Sequence, residues 1–355
     1  MDPLRGLAAR RLGDGRRAEG LSSVAPSRVL VTGGAGYIGT TLVPRLLARG
    51  YQVRILDRLD FGDEPLRDVR ERVELIVGDV RNLPPGVFDG VTGVIHLAAL
   101  SNDPTAEYDP EANWELNALA TETLGRACLA AGVARLVFAS SCSVYDGLSG
   151  EVHDERAPVV PRGAYATSKR YAEERLLEMA DEGLCPVVLR FGTVCGHSPR
   201  MRFDLVVNAF LRDALLHGSV RLHEGGWMRR PMLEIGDAAD VTVAALEAPS
   251  EGVRGEVFNV LEANHAVADL ARAVARAVRK LGRPVQVETV PSLTEPRDYA
   301  CANHKLADRL GLKPRRDPAQ AVDGILRAID VDDRDMLSHP RHHNIDWLQL
   351  ATGRS

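Results

Sequence analysis

Tyr165 and Lys169 stand four residues apart in "AYATSKRYAEERLLEMA", a stretch whose pattern predicts a helix, so both side chains leave one face of it. A phenol is a poor base at neutral pH, because its ordinary pKa is about 10. A neighbouring ammonium favours the phenolate and pulls that value down. With such help Tyr165 can take the proton of a substrate hydroxyl while a hydride leaves the same carbon. Alone, a Tyr and a Lys at this spacing are commonplace on helix surfaces, so the reading needs a second polar group and a hydride acceptor. The polar group is offered by "FASSCSVYDG", where hydroxyls follow a strand-like apolar run and Ser141 can donate to the substrate oxygen. Without the Y-x-x-x-K helix, Ser141 would read as a loop-capping hydroxyl.

The acceptor is suggested by "VLVTGGAGYIGTTL", which sets Gly33, Gly36 and Gly39 between an apolar run and a helical one. A glycine-spaced loop by itself signals only a tight turn. After a first strand and at the head of a first helix it becomes a dinucleotide loop. Gly33 permits the turn, Gly36 lets a diphosphate approach the main chain, and Gly39 lets helix and strand pack. Tyr37 and Ile38 belong to the same loop, and the helix N-terminus supplies unpaired N–H groups. Eighteen residues past Gly39, Asp57 ends the second strand in "RILDR". A carboxylate there accepts from both ribose hydroxyls and repels a 2′-phosphate, which selects NAD over NADP. Arg58 softens that preference if it turns inward, and is a solvated residue otherwise. "GDV" closes the third strand, placing Asp79, with Val80 beside it, to reach the adenine edge or merely to cap a turn.

Elements that could hold these residues recur along the chain. "RVLVT", "QVRILD", "VELIVGD", "GVIHLAA", "RLVFASS" and "PVVLRFG" are short apolar runs bounded by turn residues. Helical stretches such as "GTTLVPRLLARG" and "NWELNALATETLGRACLAAG" lie between several of them. Apolar strands separated by helices predict an α/β domain built on a doubly wound parallel sheet, a Rossmann fold. The predicted division is an NAD-binding domain over 28–196 and a smaller, mixed α/β C-terminal substrate lobe over 197–355 that shares elements with the first. Residues 1–27, rich in Arg, Gly and Ala and lacking the apolar block of a secretory signal, read as a disordered basic arm.

Bulk properties exclude several classes. The 355 residues are 45% apolar with a net charge of −5, which argues against a protein built to coat nucleic acid. No apolar stretch is long enough to cross a membrane. Five cysteines (Cys128, Cys142, Cys185, Cys195 and Cys301) show no pairing pattern, which suggests reduced thiols in a cytoplasmic protein and no metal cluster. His339, His342 and His343 lack the spacing of a zinc-binding helix, so the tail reads as a polar segment packing with Trp347.

Together these motifs resemble the extended short-chain dehydrogenase/reductase family, in its nucleotide-sugar epimerase/dehydratase branch, from Arg28 to the region of Ile329. "TGGAGYIG" resembles the family's T-G-x-x-G-x-x-G loop. "HLAA", with Leu97, Ala98 and Ala99, is similar to its fourth strand lining the cofactor, and "NALAT" to its N-V-x-G-T segment, with Asn117 as the matching Asn. "SSCSVY" places Ser141 at the catalytic Ser/Thr position, with Tyr165 and Lys169 as the catalytic pair. The resemblance further implies substrate contacts at Cys142, Ser143 and Thr193, and two arginines, Arg230 and Arg297, gripping a nucleoside diphosphate. It also implies a homodimer.

Departures narrow the reaction. Dehydratases of the family carry adjacent Asp and Glu after the catalytic Ser or Thr, where this chain has Cys142 and Ser143. Asp146 replaces a usual Gly and Glu234 a usual His, the latter a possible change in pocket charge. The resemblance implies an NAD-dependent nucleotide-sugar epimerase acting at carbon 4 through a 4-keto intermediate. A 4-keto-sugar reductase, a dehydratase or decarboxylase, and a non-catalytic dinucleotide sensor follow in that order.

Overall fold

Seven strands form one fully parallel sheet in a computed structural model that describes residues 27–148, 150–291 and 297–352. From edge to edge their order is Val73–Val77, Gln52–Asp57, Arg28–Thr32, Val91–His96, Arg135–Ser141, Cys185–Phe191 and Glu256–Val260. The chain therefore starts in the middle of the sheet, winds to one edge, then crosses over and winds to the other. The crossover opens a crevice at the carboxyl ends of Arg28–Thr32 and Val91–His96.

Strand composition follows from this position. Cys185–Phe191 is buried along its whole length, as the continuous apolar run requires of a strand covered on both faces. One face carries the helices Gly39–Ala48 and Ile235–Glu247, whose Leu42, Leu46 and Val243 pack with Val31, Ile55 and Leu189. The other carries Ala120–Ala130 and Gly163–Glu178, whose Leu124, Cys128, Ala172 and Leu176 meet Leu30, Val94 and Phe138. The result is the Rossmann architecture expected of the sequence.

The segment expected as one long helix around Asn117 is broken into Pro110–Trp114, a wider π-type turn at Glu115–Leu119, and Ala120–Ala130. Such turns often mark functional sites.

The smaller lobe joins three strands, Thr193–Cys195, Arg229–Glu234 and Ala263–Ala266, with the middle one parallel to the first and antiparallel to the last. Val267–Lys280 buries Leu270, Ala271, Val274 and Val278 against Val207 and Leu211 of Val206–His217. Pro318–Ala328 completes that core, entered through a reciprocal cap. The Asp317 carboxylate accepts from Gln320 N at 2.8 Å, and Gln320 Oε1 accepts from Asp317 N at 3.0 Å. Chain beyond residue 196 also completes the larger sheet, which takes its last strand, Glu256–Val260, and the covering helix Ile235–Glu247 from there. All five cysteines are buried and unpaired. The arm expected over 1–27 lies, save Ser27, outside the described residues.

Candidate functional site

At the crevice the glycine loop is shaped by its neighbours. Gly33 has φ +72°, and a Cβ on it would lie 2.6 Å from Ala98 N, so the loop turns tightly over the end of the fourth strand. A Cβ on Gly39 would lie 2.5 Å from Gly34 O. Gly36 differs: there a Cβ would meet only the Gly33 carbonyl, at 3.1 Å, and the space beyond is cavity. Helix Gly39–Ala48 has no acidic residue in its first turn, so no carboxylate of its own competes with an anion at its N-terminus. This cradle is open where a diphosphate must approach and closed where the main chain must pack, which fits a dinucleotide.

Asp57 stands beside it. Its carboxylate accepts from Ala35 N at 2.9 Å and from Leu59 N at 2.8 Å, so it braces the glycine loop as well as facing the cavity. Burial raises its pKa, against those two hydrogen bonds. The Tyr37 hydroxyl donates to Gly196 O at 2.7 Å and accepts from Asn208 Nδ2 at 3.1 Å, tying the loop to the smaller lobe.

The cavity, of about 410 Å³, lies between this loop and the helix Gly163–Glu178. Tyr165 and Lys169 both line it, as does Ser141 from the end of the fifth strand. Ser141 accepts from Ser143 N at 3.1 Å, a turn-capping bond, and its hydroxyl is 2.9 Å from that of Ser143. Lys169 is buried; its ammonium donates to Ala139 O at 2.9 Å and sits 5.8 Å above the Tyr165 ring centre.

In the NAD-free protein, burial outweighs every other influence on Tyr165 and Lys169. Burial raises the Tyr165 pKa, and Asp103 adds to the rise. The cation opposing it is Arg202, helped by a hydrogen bond with Ser141. Lys169 is itself pushed down to about 7, because burial disfavours its ammonium and Glu173, one turn further along, only partly compensates. The same low dielectric acts against both charges. Behind them His96 is pushed down to about 3 by burial and by Lys169, so it is neutral and links Thr32 (2.6 Å) to Thr121 (2.9 Å).

Of the residues expected to contact substrate, Ser143, Thr193, Arg230 and Arg297 line the cavity. Arg230 stacks 5.2 Å from the Tyr299 ring centre and donates to Arg229 O at 2.7 Å. Arg297 is held between two carboxylates, Asp103 at 2.8 Å and the buried Asp146. Asp146, where glycine was expected, is therefore an arginine partner.

Of the expected cofactor residues, Tyr37, Ile38, Arg58, Val80, Leu97, Ala98 and Ala99 line the cavity, while Asp79 and Asn117 do not. Asp79 caps the turn at Arg81 N (2.9 Å) and pairs with the Arg81 guanidinium at 2.7 Å. Asn117 is buried behind the cavity wall. It accepts from Leu100 N and donates to Leu100 O, both at 2.9 Å, and so fixes the segment after the fourth strand. Cys142 does not face substrate either. It packs with Tyr145, Leu261 and Tyr299, its thiol donates to Arg190 O at 3.2 Å, and burial raises its pKa. Glu234 changes no pocket charge: its carboxylate caps helix Ile235–Glu247 by accepting from Gly236 N (2.7 Å) and Asp237 N (3.1 Å).

The sequence reading missed a second polar wall. Arg202 pairs with Asp204 at 2.7 Å and donates to Ser101 Oγ at 2.8 Å; Asn102 donates to Asp204 at 2.9 Å. Arg200 and Asn344 continue this wall toward Phe61. The signal in "SPRMRFD" was two arginines spaced by one residue in an otherwise apolar stretch.

Comparison with known proteins agrees with this geometry. Residues 29–260 match the model of the NAD dependent epimerase/dehydratase family. A UDP-glucose 4-epimerase of Lacticaseibacillus casei is 30% identical over 316 residues, 83% of this chain and 94% of that protein. A dTDP-D-glucose 4,6-dehydratase of Mus musculus is 26% identical, over 81% of this chain and 84% of that protein. Among solved structures, the Thermus thermophilus UDP-glucose 4-epimerase complex with NAD superposes with a TM-score of 0.73 at 29% identity, covering 85% of this chain and all of that one. The cofactor of this fold and loop is NAD. By its sequence match, its doubly wound sheet and the cradle at its crevice, this chain belongs to the NAD-dependent epimerase/dehydratase family of enzymes.

Proposed function

We propose that the enzyme is a nucleotide-sugar 4-epimerase. The observation that carries this reading is the meeting of Tyr165, Ser141 and Lys169 at one cavity with the glycine loop, while Cys142, where a dehydratase has an acid, is closed into the core. NAD, when bound, accepts a hydride from the sugar carbon and returns it, and its positively charged ring favours the phenolate of Tyr165.

The chain's own residues do the rest. Tyr165 takes the proton of the carbon 4 hydroxyl, leaving a 4-keto sugar, and returns it in the second half of the cycle. Ser141 donates to the same oxygen and fixes its position. Lys169 holds the ribose next to the reacting ring and presents its charge to the phenol from 5.8 Å above the ring centre. Arg230, and Arg297 after exchange of partners, hold the diphosphate while the keto sugar turns over. Gly36, Asp57 and the helix N-terminus hold the dinucleotide, with Asp57 facing the ribose hydroxyls.

Incubation of purified enzyme with UDP-, TDP-, GDP-, CDP- and ADP-sugars and NAD alone, read by product chromatography, tests the reading. With NAD in catalytic amount, an epimerase brings one pair of sugars to equilibrium without added reductant, whereas a 4-keto reductase oxidises at most one sugar for each NAD reduced and then stops. Tyr165→Phe lowers kcat by about 10²- to 10⁴-fold, the usual contribution of a positioned acid–base group. Turnover within a few-fold of the parent overturns the assignment of Tyr165.

A further inference from the structure

Asp103 is a cavity carboxylate that the reaction described above does not use. It comes from "LSNDPT", the segment after strand Val91–His96, and lines the cavity with Ser141, Tyr165, Thr193 and Arg297. The chain is bent to deliver it. Asn102, just before it, has φ +83°, a conformation uncommon for a residue with a side chain. Two bonds hold that strain: Asn102 Oδ1 accepts from Thr105 N at 3.1 Å, and Nδ2 donates to Asp204 at 2.9 Å.

A carboxylate has room for about four hydrogen bonds. Among the described residues Asp103 has one partner: Oδ2 pairs with Arg297 Nη1 at 2.8 Å, while Oδ1 has none. The side chain is 25% exposed and borders the cavity, so a bound molecule can reach the carboxylate. The cations on this side are already matched. Arg202 pairs with Asp204 at 2.7 Å, and Arg297 is held by the buried Asp146 as well as by Asp103, which leaves Arg230 for the diphosphate. Asp146 takes the Nε side of Arg297, so the Nη side, where Asp103 sits, is the one that can turn to a phosphate. When it turns, Asp103 loses its cation beside Tyr165, a residue close enough for Asp103 to raise its pKa. Such a carboxylate is costly until another donor meets it. A sugar hydroxyl is such a donor, whereas a carboxylate on the sugar meets a like charge.

We propose that Asp103 is the residue that reads the sugar, accepting from a ring hydroxyl of a neutral hexose and rejecting hexuronates, which carry a carboxylate. The inference rests on the nucleotide-sugar reading and deepens it by naming the sugar class. It holds for an epimerase and for a 4-keto reductase alike.

The test uses UDP-glucose, UDP-glucuronate and UDP, or the matching set on whichever base the panel above selects. Dissociation constants are measured by titration calorimetry on the NAD-loaded enzyme in a Tyr165→Phe background, which slows turnover. The neutral ester binds about tenfold to a hundredfold more tightly than the uronate, the cost of a like-charge contact. Asp103→Asn keeps the shape and an acceptor for Arg297 but removes the charge, and it brings the two esters within about threefold of each other. A variant that changes UDP and both esters by one common factor acts only through Arg297 and overturns the proposal. A parent enzyme that binds the uronate as tightly as the neutral ester overturns it too. If the panel yields no nucleotide sugar that binds, the nucleotide-sugar reading itself fails; if both esters bind alike, this proposal alone does. Should Asp103→Asn not fold, the parent ratio still decides, together with a crystal structure of the parent bound to the neutral ester. An Asp103 oxygen within 3.2 Å of a ring hydroxyl supports the assignment, and a carboxylate turned from the sugar overturns it.

Discussion

At Tyr165 and Lys169, burial works against two charges of opposite sign, and the consequence is measurable in the absence of substrate. Lys169 titrates near 7 in the folded protein and near 10.4 when the chain is unfolded. Between those values the unfolded chain binds more protons than the fold, so stability rises with pH. The penalty for a buried ammonium is complete below the folded pKa and is relieved as pH rises above it. From pH 7 to 9 the NAD-free enzyme gains about 2 kcal/mol from this group in urea denaturation, and Lys169→Met lacks that gain. Asp57 offers a second residue-scale outcome: Asp57→Ala weakens NAD and narrows the preference for NAD over NADP by about tenfold, read from the two dissociation constants. Both residues were legible in the sequence, because a strand-end acid and a Y-x-x-x-K pair are local patterns. Cys142 and Asn117 were misplaced because their direction depends on packing. A residue next to Ser141 can face the cavity or the core, and here Tyr145 and Leu261 draw it inward.

At the scale of elements, strands Arg135–Ser141 and Cys185–Phe191 and the helix Gly163–Glu178 are bolted together beneath the site. The Glu173 carboxylate, one turn beyond Lys169, accepts from Arg190 at 2.6 and 2.9 Å and from Ser140, while Arg190 also reaches the Tyr145 hydroxyl. Glu173 and Arg190 are both buried. Arg190→Met leaves that carboxylate only the longer cationic contact with Arg170, at 3.5 Å, and costs about 3 kcal/mol of stability in urea unfolding. The glycine loop makes a separate prediction. Gly36→Val presses its Cβ on the Gly33 carbonyl, at 3.1 Å, and sends the rest of its bulk into the cavity, so the protein still folds, with a small loss in melting temperature, and no longer retains NAD on a desalting column. Strands and loop were readable from periodicity and spacing. The π-type turn at Glu115–Leu119 was not, because nothing in "ELNAL" distinguishes it from ordinary helix until Asn117 bonds Leu100 on both sides.

For the whole molecule, the apolar runs announced a parallel sheet, but not which distant segments complete it. The last strand of the larger sheet and the Asn344–Thr352 helix arrive from far along the chain, and no local pattern announces where distant segments meet. The same holds for the wall of Ser101, Arg202 and Asp204, gathered from separate loops. Its members became interpretable only as neighbours. The burial of all five cysteines has a consequence for handling the enzyme. All five residues are at most 2% exposed, so alkylating and mild oxidising agents reach them chiefly when the structure opens, and colour development with an aromatic disulfide becomes a clock for native-state opening.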